Sequence, residues 1–595
     1  MQPTDSENVY KTLKGLNGQF RFIQPFQGFC TSLFSVGCTY GYSHLSPSDF
    51  QLITSINYKP MKKTSFLLLI TALCCLQNPT FAQIQSGENM AITNTESGKV
   101  RGYIHNNIFT YKGIPYAEAK RFMSPEKPKP WTNVRASMVY GPVAPLLDPT
   151  TSVQDEGEFI FHHDWGFTNE DCMRLNVWTP NINDGKKRPV MFWIHGGGFV
   201  AGSSQELPSY DGESLAKKGD VVVVSINHRL NILGYLDLSA YGEKYKQSAN
   251  LSILDMKVAL EWVKNNIENF GGDPNNVTIF GQSGGGAKVN TLMAMPSAKG
   301  LFHKAINQSG SFRTAMLEKT DTQLIASEVL KALDLQPNQI DEIQKIPFEK
   351  LSMAGKKALK IVADKMKAEG KPVIGFGLSW GPSRDGEVLP YQLFSNEAFE
   401  MSKNIPLLIG TTKNEFSPFA GMATFNSTQE QAMEILKKKY NTKTDAYVEA
   451  VKKAYPNHTK PSDLLDIDFS FRPGAVVQAN QKSALSGGAA TYMYLFSWQS
   501  PVLDGKFKAV HCMELPFVFN NIARCEEMTG GGKEAYVLAD KMSQSWINFA
   551  KTGNPNHAGL PKWEAYNASK GTTMFFDNTC EIKYNHDAAL LEFGK

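Results

Sequence analysis

The sequence predicts an α/β fold, with a large, mostly parallel central sheet flanked by helices. Two observations predict it. Short apolar runs alternate along the chain with segments of helical periodicity, the pattern of strands and the helices that connect them. One such run also passes through a glycine-rich turn directly into a helix start.

Taken in order, Pro189 to Ile194 and Asp220 to Ile226 read as buried strands. Leu251 to Phe270 follows as a helix, with Ile253, Met256, Leu260, Val263 and Ile267 on one apolar face. Val277 to Phe280 is the next strand, and Ala287 to Met295 can start a helix. Ile405 to Gly410 is a short apolar strand, and Thr491 to Phe496 is another. The lysine-rich stretch from Asn426 to Thr459 reads as surface helix and loop shaping the wall of a gorge.

The turn between Val277–Phe280 and the following helix is Gly281-Gln282-Ser283-Gly284-Gly285. Strand, tight glycine turn with one serine, then helix is the layout of a nucleophile elbow. A serine hydroxyl is a weak nucleophile unless it is presented beside a base, and the glycines let the backbone turn sharply. A second pentapeptide, Gly377-Leu378-Ser379-Trp380-Gly381, runs into Pro382-Ser383-Arg384-Asp385-Gly386. That context reads as loop, so Ser379 is not expected to be catalytic.

An elbow serine also needs donors for an oxyanion. The strand ending at Ile194 runs into His195-Gly196-Gly197-Gly198-Phe199. A glycine triplet after a strand, upstream of an elbow, is the lipase and esterase arrangement. The expected donors are the N–H groups of Gly197, Gly198 and Gly284.

A base and an acid should follow the serine. The histidines beyond it are His303, His458, His511, His557 and His586. His511 follows the Thr491–Phe496 strand and a loop, a route that can deliver an imidazole. For the acid, Glu415 lies just past the strand ending at Gly410, but spacing alone does not choose it over nearby carboxylates.

From about Gly98 to Phe576 the chain resembles the type-B carboxylesterases, which include the cholinesterases and bacterial para-nitrobenzyl esterases. The resemblance rests on ordered stretches: Tyr111 to Ala117 with Arg121-Phe122, Asn169 to Val177, the His195 glycine run, and Asn227 to Leu230. It continues through Phe270 to Thr278, the elbow, Gly410 to Glu415, His511 to Pro516 and Phe549 to Pro555. It implies the α/β-hydrolase fold, with Ser283 as nucleophile, Glu415 as triad acid and His511 as base. It further implies a small-molecule ester as substrate, with no cofactor and no metal.

Two departures from that family stand out. Its usual Glu before the nucleophile is Gln282 here, and its usual Ala after it is Gly284. Gln keeps size and hydrogen-bonding reach without charge, so neutral esters are expected to be preferred over choline esters. Many relatives also pair the cysteine equivalent to Cys172 with one about thirty residues earlier. Here that stretch is Tyr140 to Pro145, without cysteine, so that disulfide is excluded.

The composition is that of an ordinary globular protein, 42% hydrophobic and 20% charged. A net charge of +4 over 595 residues gives no argument for nucleic acid or an anionic membrane. Met61-Lys62-Lys63, the apolar run Ser65 to Leu76 and Thr80-Phe81-Ala82 form the three parts of a secretory signal. The run is too short for a bilayer, which needs about twenty residues. The expectation is therefore a gene-model extension or unstructured segment over 1–60, a signal peptide over 61–82, and one catalytic domain over 83–595, secreted or periplasmic. Export permits disulfides among Cys172, Cys512, Cys525 and Cys580. Packing, or a Cys512–Cys525 bridge, is the expected role of the thiol beside the base. Two rival readings are a non-catalytic recognition protein on the same fold and an enzyme that cleaves amides or lactones. The presence of Ser283, Glu415 and His511 argues against the first; sequence does not exclude the second.

Overall fold

The structure, a computed structural model, describes residues 84–146, 155–371, 377–420, 424–457 and 460–594. The expected leader, residues 1–60 and His458 lie outside them.

An eleven-stranded mixed sheet organises the chain. Its strands are β1 (Tyr103–His105), β2 (Ile108–Pro115), β3 (Arg174–Thr179), β4 (Arg188–Ile194), β5 (Val222–Ile226) and β6 (Gly272–Gln282). The remainder are β7 (Lys304–Gln308), β8 (Leu407–Thr412), β9 (Thr491–Phe496), β10 (Thr572–Phe576) and β11 (Glu581–Tyr584). Across the sheet the order is β11-β10-β9-β8-β7-β6-β4-β5-β3-β2-β1. Strands β4 to β10 pair in parallel, and antiparallel pairs occur only at the two margins. The expected strands are all present, within a few residues of their predicted limits.

Side chains alternate across the sheet with the two-residue period of a strand. On β4, Val190, Phe192 and Ile194 join one core, while Met191 and Trp193 join the other. Helix α1 (Leu251–Asn266) covers the first face with Ile253, Met256, Leu260 and Val263. Gly284–Met293 forms α2, and α3 (Lys533–Thr552) covers the second face with Leu538, Met542, Trp546 and Ile547. Buried apolar positions at helical spacing thus dictate which face each helix takes. Between Asn426 and Asn457, two helices, Gln429–Tyr440 and Thr444–Ala454, bury Leu436, Tyr447 and Val451 against Leu495, Phe575 and Leu590.

The chain leaves β4 for β5 on one side and returns to β6 on the other. The carboxyl ends of β4 and β6 therefore flank a topological switch point, where open α/β sheets form their crevice. Register keeps the strand ends level. Ile194 pairs with Gly281, Gln282 with Gln308, Gln308 with Gly410, and Thr412 with Phe496. Whatever follows these residues is delivered to one end of the sheet. The loop after β5 is fixed there by Arg229, whose guanidinium makes a buried, two-toothed ion pair with Asp255 of α1. Removing either partner leaves an uncompensated buried charge.

Among the described residues no helix is long and apolar enough to cross a membrane. Cys172, Cys512, Cys525 and Cys580 are all free thiols. The expected alternative of a Cys512–Cys525 bridge is not formed, because Cys512 turns its sulfur to the Gln282 side-chain oxygen, 3.2 Å away.

Candidate active site

Ser283 sits between β6 and α2 with φ 57° and ψ −125°. This left-handed turn is strained for a residue with a Cβ, and such strain concentrates at functional sites. Two hydrogen bonds hold it: Ser283 N–H donates to Gln308 O at 2.8 Å, and Ala287 N–H donates to Ser283 O at 3.0 Å. The serine is half-buried, at the head of a helix. Ser379 differs in every respect that matters. It lies in irregular chain, with only the two-residue strand Ser383–Arg384 following and no helix start.

The glycine run after β4 packs directly on this elbow. A Cβ on Gly284 would meet Gly198 O at 2.2 Å and Gly198 N at 2.4 Å, so only glycine permits the approach. Gly197 and Gly198 have φ of 76° and 61°. Both are half-buried, and their N–H groups donate to no protein acceptor among the described residues. Because a trans peptide is planar, each N–H points opposite to the preceding carbonyl. Gly197 O is held by Val200 N–H at 3.3 Å and Ala201 N–H at 3.1 Å, which fixes the direction of Gly198 N–H. Ser283 O is held by Ala287 in the same way, which fixes Gly284 N–H.

Glu415 and His511 meet at the same sheet end. Glu415 follows β8 with φ 43° and is fully buried. One carboxylate oxygen, Oε1, accepts Ser309 Oγ–H at 2.6 Å and Thr412 N–H at 2.8 Å. The other, Oε2, takes His511 Nδ1–H in a short contact. Glu415 O also accepts His511 N–H at 3.0 Å, a one-residue parallel bridge that carries the β8 margin over to the imidazole. The ring is packed by Phe416 and Phe471, with centroids at 4.3 Å and 5.0 Å. With Nδ1–H committed to the carboxylate, Nε2 is left as the basic nitrogen.

No hydrogen bond joins Ser283 Oγ to His511 among the described residues. The side-chain nitrogen of Gln282 lies 3.2 Å from His511 Nε2 and 3.4 Å from Nδ1. Contacts of this kind tighten in the complex with substrate. Gln282 is fully buried and lies against the imidazole.

The other histidines are accounted for elsewhere. His303 Nδ1 accepts Val277 N–H at 3.1 Å, His557 lies against Lys541 and Ser545, and His586 packs on Phe575. Sequence reasoning missed two acids beside the triad candidates. Burial, with the Glu415 charge next to it, pushes the Glu514 carboxyl up to about 7. Burial and Glu415 likewise push Asp468 up to about 7, against three backbone N–H donors. The Glu514-Leu515-Pro516 run after His511 was visible in the sequence; its burial was not.

With this geometry in view, the comparisons with known proteins are direct. The profile of the carboxylesterase family matches residues 89–593. The chain is 36% identical to the para-nitrobenzyl esterase of Bacillus subtilis over 502 residues, covering 83% of this chain and 96% of that protein. It is 32% identical to the phenmedipham hydrolase of Pseudarthrobacter oxydans, covering 80% and 93% respectively. Among solved structures, an esterase from Clostridium hathewayi described as hydrolysing aliphatic aromatic polyesters is 37% identical, with a TM-score of 0.75. That match covers 86% of this chain and 99% of the other.

Proposed function

The chain belongs to the carboxylesterase family and is a carboxylic ester hydrolase, and from that premise we propose that it works through an acyl-enzyme on Ser283. Ser283 attacks the ester carbonyl as His511 takes its proton. The oxyanion forms against the N–H groups of Gly197, Gly198 and Gly284, each contributing roughly 3 kcal/mol. His511 then protonates the leaving alcohol and activates the water that releases the acid. Glu415 orients the ring and stabilises the imidazolium. The observation that carries this reading is the Glu415–His511 pair standing at the same sheet end as the Ser283 elbow.

The proposed substrates are small neutral esters, including para-nitrobenzyl esters of the kind that name the Bacillus subtilis relative. An acyl-length series of para-nitrophenyl esters, run beside a choline ester and its neutral isostere, tests this. The neutral isostere is expected to have the higher kcat/KM, and Gln282→Glu is expected to shift the ratio toward the choline ester by about fivefold or more, the equivalent of about 1 kcal/mol of restored attraction in a partly desolvated site. A preference for the choline ester rejects the role given to Gln282, and no turnover of any neutral ester rejects the substrate class.

We also propose that the enzyme is exported, with residues 61–82 as its signal. A gene beginning at Met61 is expected to yield a secreted or periplasmic product whose terminal sequence starts at Gln83. A mature protein that keeps any of residues 1–60 contradicts this.

A further inference from the structure

The most unusual group outside the residues used so far is Lys288. It lies in the middle of α2 and is completely buried. Burying an ammonium is costly unless hydrogen bonds compensate it, so a lysine here calls for a reason. Its Nζ donates to His195 O at 3.1 Å and to Gly196 O at 3.4 Å. Both acceptors belong to the loop that carries the proposed oxyanion donors.

The placement follows from helix geometry. Gly284 and Lys288 are four residues apart, so they share one face of α2, one turn from each other. Gly284 touches Gly198, and Lys288 binds the peptides at 195 and 196. The face of α2 that presents one oxyanion donor therefore also grips the backbone of the others.

The grip has a directional consequence. The Gly196 carbonyl and the Gly197 N–H belong to one planar trans peptide and point in opposite directions. Gly198 N–H and Gly284 N–H are aimed by carbonyls tied within the chain's own turns. Gly197 N–H is aimed by Gly196 O, whose donors are Lys288 Nζ and, at 3.0 Å, the Nδ1 of His195. A cation on the carbonyl also polarises the peptide and strengthens its N–H as a donor.

We propose that Lys288 is a positioning residue for the oxyanion donors, its Nζ holding the His195 and Gly196 carbonyls so that Gly197 N–H faces the substrate. The proposal rests on the reading of Ser283 and the glycine run given above. The charged and titratable groups around Lys288 fit this role. Glu206 is the acid that favours its charge; burial raises that carboxyl in turn, and Ser203 N–H donates to it at 3.3 Å. Burial, then Lys288 itself, holds the stacked His195 and His228 rings well below their ordinary range, hence neutral. Arg313 shares the Phe199 ring with Lys288. Burial brings the Lys288 amine down to about 7, so near neutral pH it is divided between ammonium and amine, and either form has N–H donors for both carbonyls.

The test uses Lys288→Met, which keeps the length and removes the charge and the donors, and Lys288→Gln, which keeps one amide donor. Activity on para-nitrophenyl butyrate is counted per site titrated to completion with a fluorophosphonate, so unfolded protein does not enter the rate. Affinity for a trifluoromethyl ketone, which adds to the serine and forms an oxyanion, is measured beside affinity for the matching secondary alcohol, which does not. Lys288→Met is expected to lower kcat by about 30-fold, below the 10²–10³-fold range for losing a donor outright, because the donor is misdirected rather than deleted. KM and alcohol affinity are expected to stay within about threefold, and ketone affinity to fall in parallel with kcat. Lys288→Gln should recover part of the loss. An unchanged kcat per titrated site, or ketone and alcohol affinities falling together, overturns the proposal. So does failure of both variants to give any titratable site, which would make Lys288 a stability element alone. Activity that survives Ser283→Ala would instead remove the underlying reading.

Discussion

Replacing Ser283 with alanine is expected to lower kcat by roughly 10⁵-fold or more, the scale seen when a serine nucleophile is deleted from a triad. Ser379→Ala is expected to leave kcat within about twofold, as a substitution away from the chemistry does. Both serines sit in a Gly-x-Ser-x-Gly pentapeptide, so the contrast isolates what the fold adds. Ser283 occupies a left-handed turn at the head of α2, with Gly198 packed against the next residue. Ser379 has neither the helix nor the glycine run. Parallel kcat measurements on the two purified variants, with circular dichroism to confirm folding, decide the matter. A dead, folded Ser379→Ala enzyme would overturn the assignment.

The second large effect is expected at Glu415. Glu415→Gln should lower kcat by about 10³–10⁴-fold with little change in KM, as when the acid of a Ser-His-Asp triad becomes an amide. The reason lies in the two donors on Oε1. Ser309 Oγ–H and Thr412 N–H both need an acceptor there, so the amide oxygen must stay with them. The amide NH₂ is then turned to His511 Nδ1, where the carboxylate used to accept. Nδ1 becomes the acceptor, the ring proton moves to Nε2, and the base is lost in the wrong tautomer. Steady-state kinetics on a para-nitrophenyl ester measure the effect. A loss under about tenfold would show that Glu415 does not set the tautomer.

Much of this arrangement was legible in the sequence, because its signals are local. The run Val277 to Phe280 ahead of Ser283 and the three glycines after it encode a strand, a turn and a helix without reference to the rest of the chain. The same holds for Ile194 and the run from His195 to Gly198. Glu415 was different. Its partner is 96 residues away, and no spacing rule ties a particular acid past a strand to a particular histidine. Only the family resemblance chose it, and the level register of β8 with β9 supplies the physical reason. The burial of Gln282, Glu514 and Asp468 was not legible, since each depends on elements that meet only in three dimensions. Lys288 left a trace that was overlooked. A single lysine at the centre of a helix otherwise made of glycine, alanine, valine, leucine, methionine and small polar residues has no solvent face to occupy.

The central claim is that ester hydrolysis passes through a covalent intermediate on Ser283. It is tested most directly by reacting the wild-type enzyme with a fluorophosphonate and mapping the adduct by peptide mass spectrometry, with residual hydrolysis followed in the same sample. The account predicts one adduct per chain, on the peptide containing Ser283, appearing in step with the loss of activity. An adduct confined to another residue such as Ser379, or complete inactivation with Ser283 unmodified, would contradict it.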